Sequence, residues 1–360
     1  MMKAIMFFVA LTAAIAAQAK EYPFTGDIWK VSAAESAVVQ HLGEQAIKIK
    51  GGYAQINDLA MQDGLIEFDI AVFTERGFAG AIFRVQDLAN YEHFYIRPHQ
   101  AGKADANQYT PVFNGVSAWQ LYHGERYATP LDYSFDKWMH IRIAYAGDRA
   151  EVYLDSDEPV LLVDDLRRDT ASGGIGLGAG NFAPAYFANV EVSPLPDDYR
   201  FKPSEVTLAR PAAGTVMSWQ VSAGIAADDV ADAHRTNHTW TTLEAENSGI
   251  TNLAKAPGVG GEKKTVVARL TLHADSRQQK KLTFGYSDEV TVYVNGTALY
   301  AGSNRYQSRD FRYLGTIGLF DSVFLPLEAG DNEVLFVVTE AFGGWGIQAQ
   351  FEDLQGVSLK

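Results

Sequence analysis

The stretch Tyr91–Gly115 concentrates the side chains of this chain that can do chemistry. Written as a strand, with side chains alternating between faces, it puts His93, Tyr95, Arg97 and His99 on one side. Phe94, Ile96 and Pro98 fall on the other, where they can sit in a core. The first set offers planar polar groups, which hydrogen-bond hydroxyls and stack on the CH faces of sugar rings. Glu67 and Asp69 share the outward side of a second strand pattern, and Arg84 and Gln86 share that of a third. If these strands are sequential neighbours, their polar sides form one surface carrying charges of both signs. The plainer alternative is a solvated outer face laced by Arg–carboxylate pairs. Downstream, Gly102–Gly115 reads as a polar loop closing in a turn at Asn114-Gly115, and rim loops commonly carry a sandwich's contacts. Asp105, Asn107, Gln108 and Tyr109 lie in it. Trp119 follows, either as a stacking platform or as core filling. The candidate ligand-binding set is therefore Arg84, His93, Tyr95, Arg97, His99, Asp105, Asn107, Gln108, Tyr109 and Trp119.

Other chemistries lack their residues. The loop oxygens of Asp105, Asn107 and Gln108 do not follow a known calcium-loop spacing. His93 and His99 are too loosely spaced to claim a zinc site, and neither a nucleophile-elbow serine nor a phosphate loop is present. The sequence contains no cysteine. That removes disulfide partners, thiolate metal sites and a Cys nucleophile. Neither a metal nor a cofactor is expected, and no catalytic residue is assigned. The formal net charge of −14 has the wrong sign for a nucleic-acid binder.

The elements that must position these residues have a period of two. Ile66, Phe68, Ile70 and Val72 alternate with Leu65, Glu67, Asp69 and Ala71; Ile141 and Ile143 alternate with His140 and Arg142; Val152 and Leu154 alternate with Glu151 and Tyr153. Such alternation marks strands with one buried face. Without helical stretches between them, the strands predict a sandwich or barrel. Tyr145–Arg149 reads as a hairpin connection, and so does Asn295-Gly296, whose two residues both tolerate positive φ. Pro194, Pro196 and Pro203 crowd one short stretch. Proline stiffens the chain and cannot donate to a ladder, so the domain boundary is placed there, with few core contacts expected of it. The resulting division is a signal peptide at 1–19, a β-sandwich at 20–196, a linker at 197–203 and a second β-sandwich at 204–360. The stretch Asp228–Gly261 is low in strand signal and reads as a long loop or small insertion.

The segments Gly64–Ile70, Gly80–Val85, Tyr91–Pro98, Trp138–Ile143 and Gly173–Gly178 make the first half resemble the concanavalin A-like lectin/glucanase superfamily, laminin G-like modules and 3-keto-glycoside hydrolase relatives included. The resemblance implies a bent two-sheet sandwich whose concave face holds glycan. Phe284–Gly296 and Gly343–Phe351 make the second half look like a galactose-binding-like jelly roll. In that half, Gly343-Gly344-Trp345-Gly346 is either a glycan-stacking tip or a tight turn with its Trp packed inward. Family-16-like glucanases carry Glu-x-Asp-x-(x)-Glu. Here Glu67-Phe68-Asp69 is followed by Ala71 and Val72, so the second glutamate is missing. Retaining hydrolysis needs two carboxyls about 5 Å apart, and this departure argues against that mechanism. The resulting expectation is an all-β chain of two jelly-roll sandwiches that binds poly- or oligosaccharide. The rivals are a glycoside hydrolase or lyase using His93, His99, Tyr95 or a nearby carboxylate, and a structural or adhesive surface protein.

Lys3, the apolar run Ala4–Ala17 and the small-x-small site Ala17-Gln18-Ala19 read as a bacterial secretory signal rather than a span. The chain is therefore expected to be secreted or periplasmic. Sequencing the exported protein should find Lys20 at its N-terminus. An intact Met1 in a membrane fraction would contradict this.

Overall fold

A computed structural model describes residues 19–204 and 210–360. Residues 1–18, where nearly all of the expected signal peptide at 1–19 falls, lie outside the described residues. The alternating segments form strands throughout. In the first half these are β1 (Lys20–Glu21), β2 (Trp29–His41), β3 (Glu44–Ile56), β4 (Gly64–Ala71), β5 (Ala79–Asp87), β6 (Asn90–Ile96) and β7 (Asn107–Phe113). They continue with β8 (Val116–Ser117), β9 (Met139–Ala146), β10 (Arg149–Leu154), β11 (Leu161–Val163), β12 (Gly174–Ala179) and β13 (Ala185–Ser193).

One long hairpin, β2–β3, organises this half. Residues Ile47–Ile49 of β3 pair with β13, whereas Gly52–Gln55 pair with β12. Between them the chain turns at Gly51-Gly52. At Gly52 a Cβ would lie 2.1 Å from the Ser32 carbonyl oxygen, so only glycine permits the bend. Two limbs follow: β13-β4-β9-β10-β11 on one side and β12-β5-β6-β7-β8 on the other. Their inner faces meet in one core. Ile66, Phe68, Ile141 and Ile143 come from the first limb, and Ala81, Phe83, Phe94 and Ile96 from the second. The architecture is a β-sandwich.

The second half contains β14 (Ser218–Ser222), β15 (Trp240–Glu244), β16 (Thr251–Asn252), β17 (Thr265–Ala274), β18 (Gln278–Ser287) and β19 (Glu289–Val294). It ends with β20 (Thr297–Ser303), β21 (Asp321–Leu327), β22 (Gly330–Thr339), β23 (Gly346–Phe351) and β24 (Val357–Leu359). The sheet β15-β14-β17-β22-β19-β20, with β24 on β17, faces the sheet β16-β23-β18-β21. Trp219, Phe284, Phe336 and Trp345 fill the space between them. The stretch Asp228–Gly261, low in strand signal, holds two 3-10 turns and the short β15 and β16.

The proline-rich stretch departs from expectation. It is laid against β10 as part of the first half. Buried Glu151 accepts hydrogen bonds from the hydroxyls of Tyr153 (2.7 Å) and Tyr199 (2.5 Å) and from the Lys202 amide. A buried carboxylate must find donors or be expelled, and the stretch supplies two of them.

The halves also share a buried seam. Gln120 is fully buried. Its amide N–H donates to the Gly343 carbonyl (2.9 Å) and its carbonyl accepts from the Ile317 N–H (3.0 Å). Its side chain donates to the Leu314 carbonyl (2.8 Å) and accepts from the Ser287 hydroxyl (3.1 Å). Beside it, the Tyr122 hydroxyl donates to Glu246 (2.6 Å), which also pairs with Arg167 (3.1 Å). Apolar contacts cross as well: Ile317 joins the first core, while Phe113 and Val116 pack on the second. Gln120→Ala should therefore lower the urea midpoint, because it leaves buried partners of the second half unpaired, at about 1–3 kcal/mol for each such group. An unchanged midpoint would mean the seam is dispensable.

Candidate functional site

A cleft of about 700 Å³ lies on the outer face of the β12–β8 limb, with walls from both halves. Strand alternation builds its floor. With Phe94 and Ile96 turned into the core, Tyr91, His93 and Tyr95 of β6 face outward beside Tyr53 of β3. The Tyr53 and Tyr91 hydroxyls are hydrogen-bonded at 2.7 Å. The His93 ring packs on Tyr95, with centroids 4.8 Å apart, and meets Tyr91 at 5.8 Å. Phe78, Arg76 and Phe182 form the first-half lip.

The opposite lip comes from across the seam. Trp119 meets Phe342 edge-on at 5.9 Å. Gly343 makes that approach possible: its φ is +93°, and a Cβ there would lie 2.8 Å from the Trp119 ring. Lys263, Lys264 and Glu340 complete the lip. Trp345 is fully buried, so the tip turns its Trp inward and presents Phe342 instead.

Polar groups in the cleft have capacity to spare. Neither the His93 ring nitrogens nor the Tyr95 hydroxyl has a hydrogen-bond partner among the described residues. Burial pushes the His93 imidazole down to about 3. It is therefore neutral at physiological pH, with one ring nitrogen a donor and the other an acceptor. Burial, reinforced by the nearby Asp288 charge, lifts the Glu340 carboxyl to about 8. Glu340 is thus mostly protonated at neutral pH, and its Oε2 is buried without a partner.

His93, Tyr95 and Trp119 are the sequence candidates that meet here. The others lie elsewhere for definite reasons. Arg84 has a φ of 49° at a β-bulge, and this turns its guanidinium inward. There it donates to the carbonyls of Gln62 and Gly147 (2.7 Å each) and pairs with Asp63. The expected polar loop at Gly102–Gly115 is a strand from Asn107 to Phe113, paired with β6 and largely buried, so its polar side chains are not on a rim. Asn107 donates to the Thr129 carbonyl (2.9 Å). Gln108 is buried and donates to the carbonyls of Tyr109 and Tyr122. Tyr109 sits in the core, its hydroxyl on Glu92 at 2.7 Å. Arg97 is held by Asp105 through both the backbone carbonyl and the carboxylate, and its plane lies 5.6 Å from the Phe78 ring. His99 accepts from the Gly77 amide at 3.4 Å behind Phe78. These residues shape the limb without facing the cleft.

The expected joint polar surface does not form. β4 pairs with β9 and β13, so Glu67 and Asp69 belong to the other limb. His140 lies against both, at 3.6 and 2.8 Å. Sequence reasoning missed Tyr53, Phe78 and the second-half lip apart from its Gly343–Gly346 turn. Tyr91 was legible as the next same-face residue before His93, whereas Lys263, Lys264, Glu340 and Phe342 carry no local signal. Among the described residues, no His, Asp and Glu cluster could hold a metal ion. No helix among them is long and apolar enough to cross a membrane.

No family model and no curated protein matches the chain. Similar solved structures include the carbohydrate-binding module CBM66 from Bacillus subtilis, at 21% identity over 48% of this chain and 99% of the module, with a TM-score of 0.36. The Bacillus licheniformis β-glucanase is 10% identical over 50% of this chain and 98% of its own, TM-score 0.36. A protein of unknown function with a galectin-like fold from Bacillus subtilis is 10% identical over 49% and 96%, TM-score 0.37.

Arg97→Ala should lower thermal stability by about 1.5–3 kcal/mol, the range for a hydrogen bond to a charged group. It should leave the affinity for any saccharide the wild type retains unchanged. Calorimetric melting and titration of the two proteins check this. A fully stable variant that no longer binds would return Arg97 to the site.

Proposed function

We propose that this protein binds a saccharide chain in the shared cleft, outside the cytoplasm of a bacterium. One observation carries the reading. A floor and lips of Tyr53, Tyr91, Phe78, Trp119 and Phe342 surround polar groups, His93 and Tyr95, that the protein itself leaves unpartnered. Aromatic faces take the CH surface of a sugar ring, and the partnerless nitrogen and hydroxyl groups take its hydroxyls. A purely structural face has no need of either arrangement, since buried polar groups normally find partners within the fold.

Binding is favoured over hydrolysis by the carboxyl inventory. Glycoside hydrolysis of the usual kind needs two carboxyls flanking one bond. Glu340 is the sole carboxyl lining the cleft among the described residues. Its neighbour Asp288 is fully buried and accepts from the amides of Ala341 (2.7 Å) and Phe342 (2.6 Å).

A glycan array with product analysis on every hit tests the reading, and the expected outcome is retention without cleavage. On a retained saccharide, His93→Ala should lose about 0.5–1.5 kcal/mol of binding, the worth of a neutral hydrogen bond. Trp119→Ala should weaken it further through lost stacking, with the fold intact by circular dichroism. Cleaved products would favour the hydrolase, and a silent array would leave the structural protein.

A further inference from the structure

The chain is strongly acidic, yet the ionisable groups around the cleft have the opposite balance. Arg76 stands on the first-half lip, with its guanidinium 4.4 Å over the Phe182 ring. Lys263 and Lys264 stand on the second-half lip. All three are exposed, and none has an ion-pair partner among the described residues. Glu75 and Glu262, adjacent to them in sequence, do not line the cleft. Glu340, the acidic group that does, is largely uncharged at neutral pH because burial and the Asp288 charge raise its carboxyl. His93 is neutral for the reason already given. Three unpaired cations thus face one another across an aromatic floor, in a molecule of formal net charge −14.

Charge of one sign gathered around a concave site focuses its field there and raises the local concentration of oppositely charged ligand. The net charge of the whole chain has the sign that repels polyanions, so this mouth, where cations gather without charged carboxylates, is the place to attract one. Arg76 adds a planar fork suited to a two-oxygen anion, while the lysines act as point charges. We propose that the saccharide bound here is acidic, with carboxylate or sulfate groups lying between Arg76 on one lip and Lys263 and Lys264 on the other. This inference rests on the cleft being a saccharide site, and it adds the class of sugar.

Titration of the full-length mature protein with polygalacturonate, a sulfated galactan and neutral laminarin tests the inference, with single-stranded oligothymidylate as a further arm. The expected result is binding of polygalacturonate, of the sulfated galactan or of both, weakening as salt screens the contact; which of the two binds identifies the anionic group. Lys263→Gln and Lys264→Gln should each weaken binding by about 2- to 5-fold, the scale of an exposed ion pair. The double variant should approach the product of the two losses. Its neutral charge pattern leaves the core untouched, so circular dichroism should not change. Tight binding of laminarin alone, insensitive to the lysine variants but lost in Trp119→Ala, would overturn the acidic class and leave the saccharide site standing. Equal affinity for oligothymidylate would overturn it too, by showing adhesion to any polyanion. Binding of none of the four would remove both this inference and the reading beneath it.

Discussion

The buried polar seam around Gln120 is the constraint on which the site depends. A glutamine with no exposure, satisfied through both main-chain and side-chain groups, cannot be released without stranding partners on the other half. Arg167, Glu246 and Tyr122 act in the same way a few ångströms along. Together these contacts bring the Gly343 turn onto Trp119, and that apposition makes one lip of the cleft. Without the seam, the β6 face would be an open aromatic surface rather than one wall of a site.

The other constraint is the bend in β3. A straight hairpin would give one flat sheet, with Tyr53 and Tyr91 spread along it. Turning at Gly51-Gly52 lets β12 and β13 continue along the same edge into different limbs. The outer face of the second limb then gathers Tyr53, Tyr91, His93 and Tyr95 into a floor. Burial among these rings keeps His93 neutral, so it offers both a donor and an acceptor. Charge enters only at the rim, where cations on both lips oppose the sign of the whole chain.

Local patterns in the sequence were legible because strand alternation is a local property. Ile66, Phe68 and Ile70 point into the core, and Asn114-Gly115 and Asn295-Gly296 turn with positive φ. The outward face of His93 and Tyr95 was legible on the same ground. Pairing partners were not. Glu67 and Asp69 looked like neighbours of Arg84, yet β4 lies in the opposite limb, and a bulge turns Arg84 inward. Alternation carried the strand on to Arg97 and His99, yet β6 ends at Ile96 and Pro98–Gln100 form a 3-10 turn; nothing in the spacing reveals that Asp105, eight residues after Arg97, consumes its guanidinium. Tyr109, Asn107 and Gln108 read as a polar loop because their partners, Glu92, Thr129 and Tyr122, are brought up by tertiary structure. The second-half lip lies more than a hundred residues away from β6. It becomes part of the site only through the seam, which no short-range pattern encodes.

Hydrogen–deuterium exchange with and without a retained saccharide tests most directly whether one ligand engages both halves. The account predicts slowed exchange in Tyr91–Tyr95 and in Glu340–Gly343 together, with the β4–β9 face of the other limb unchanged. Protection confined to one half, or centred on the Glu67–Asp69 face, would contradict it.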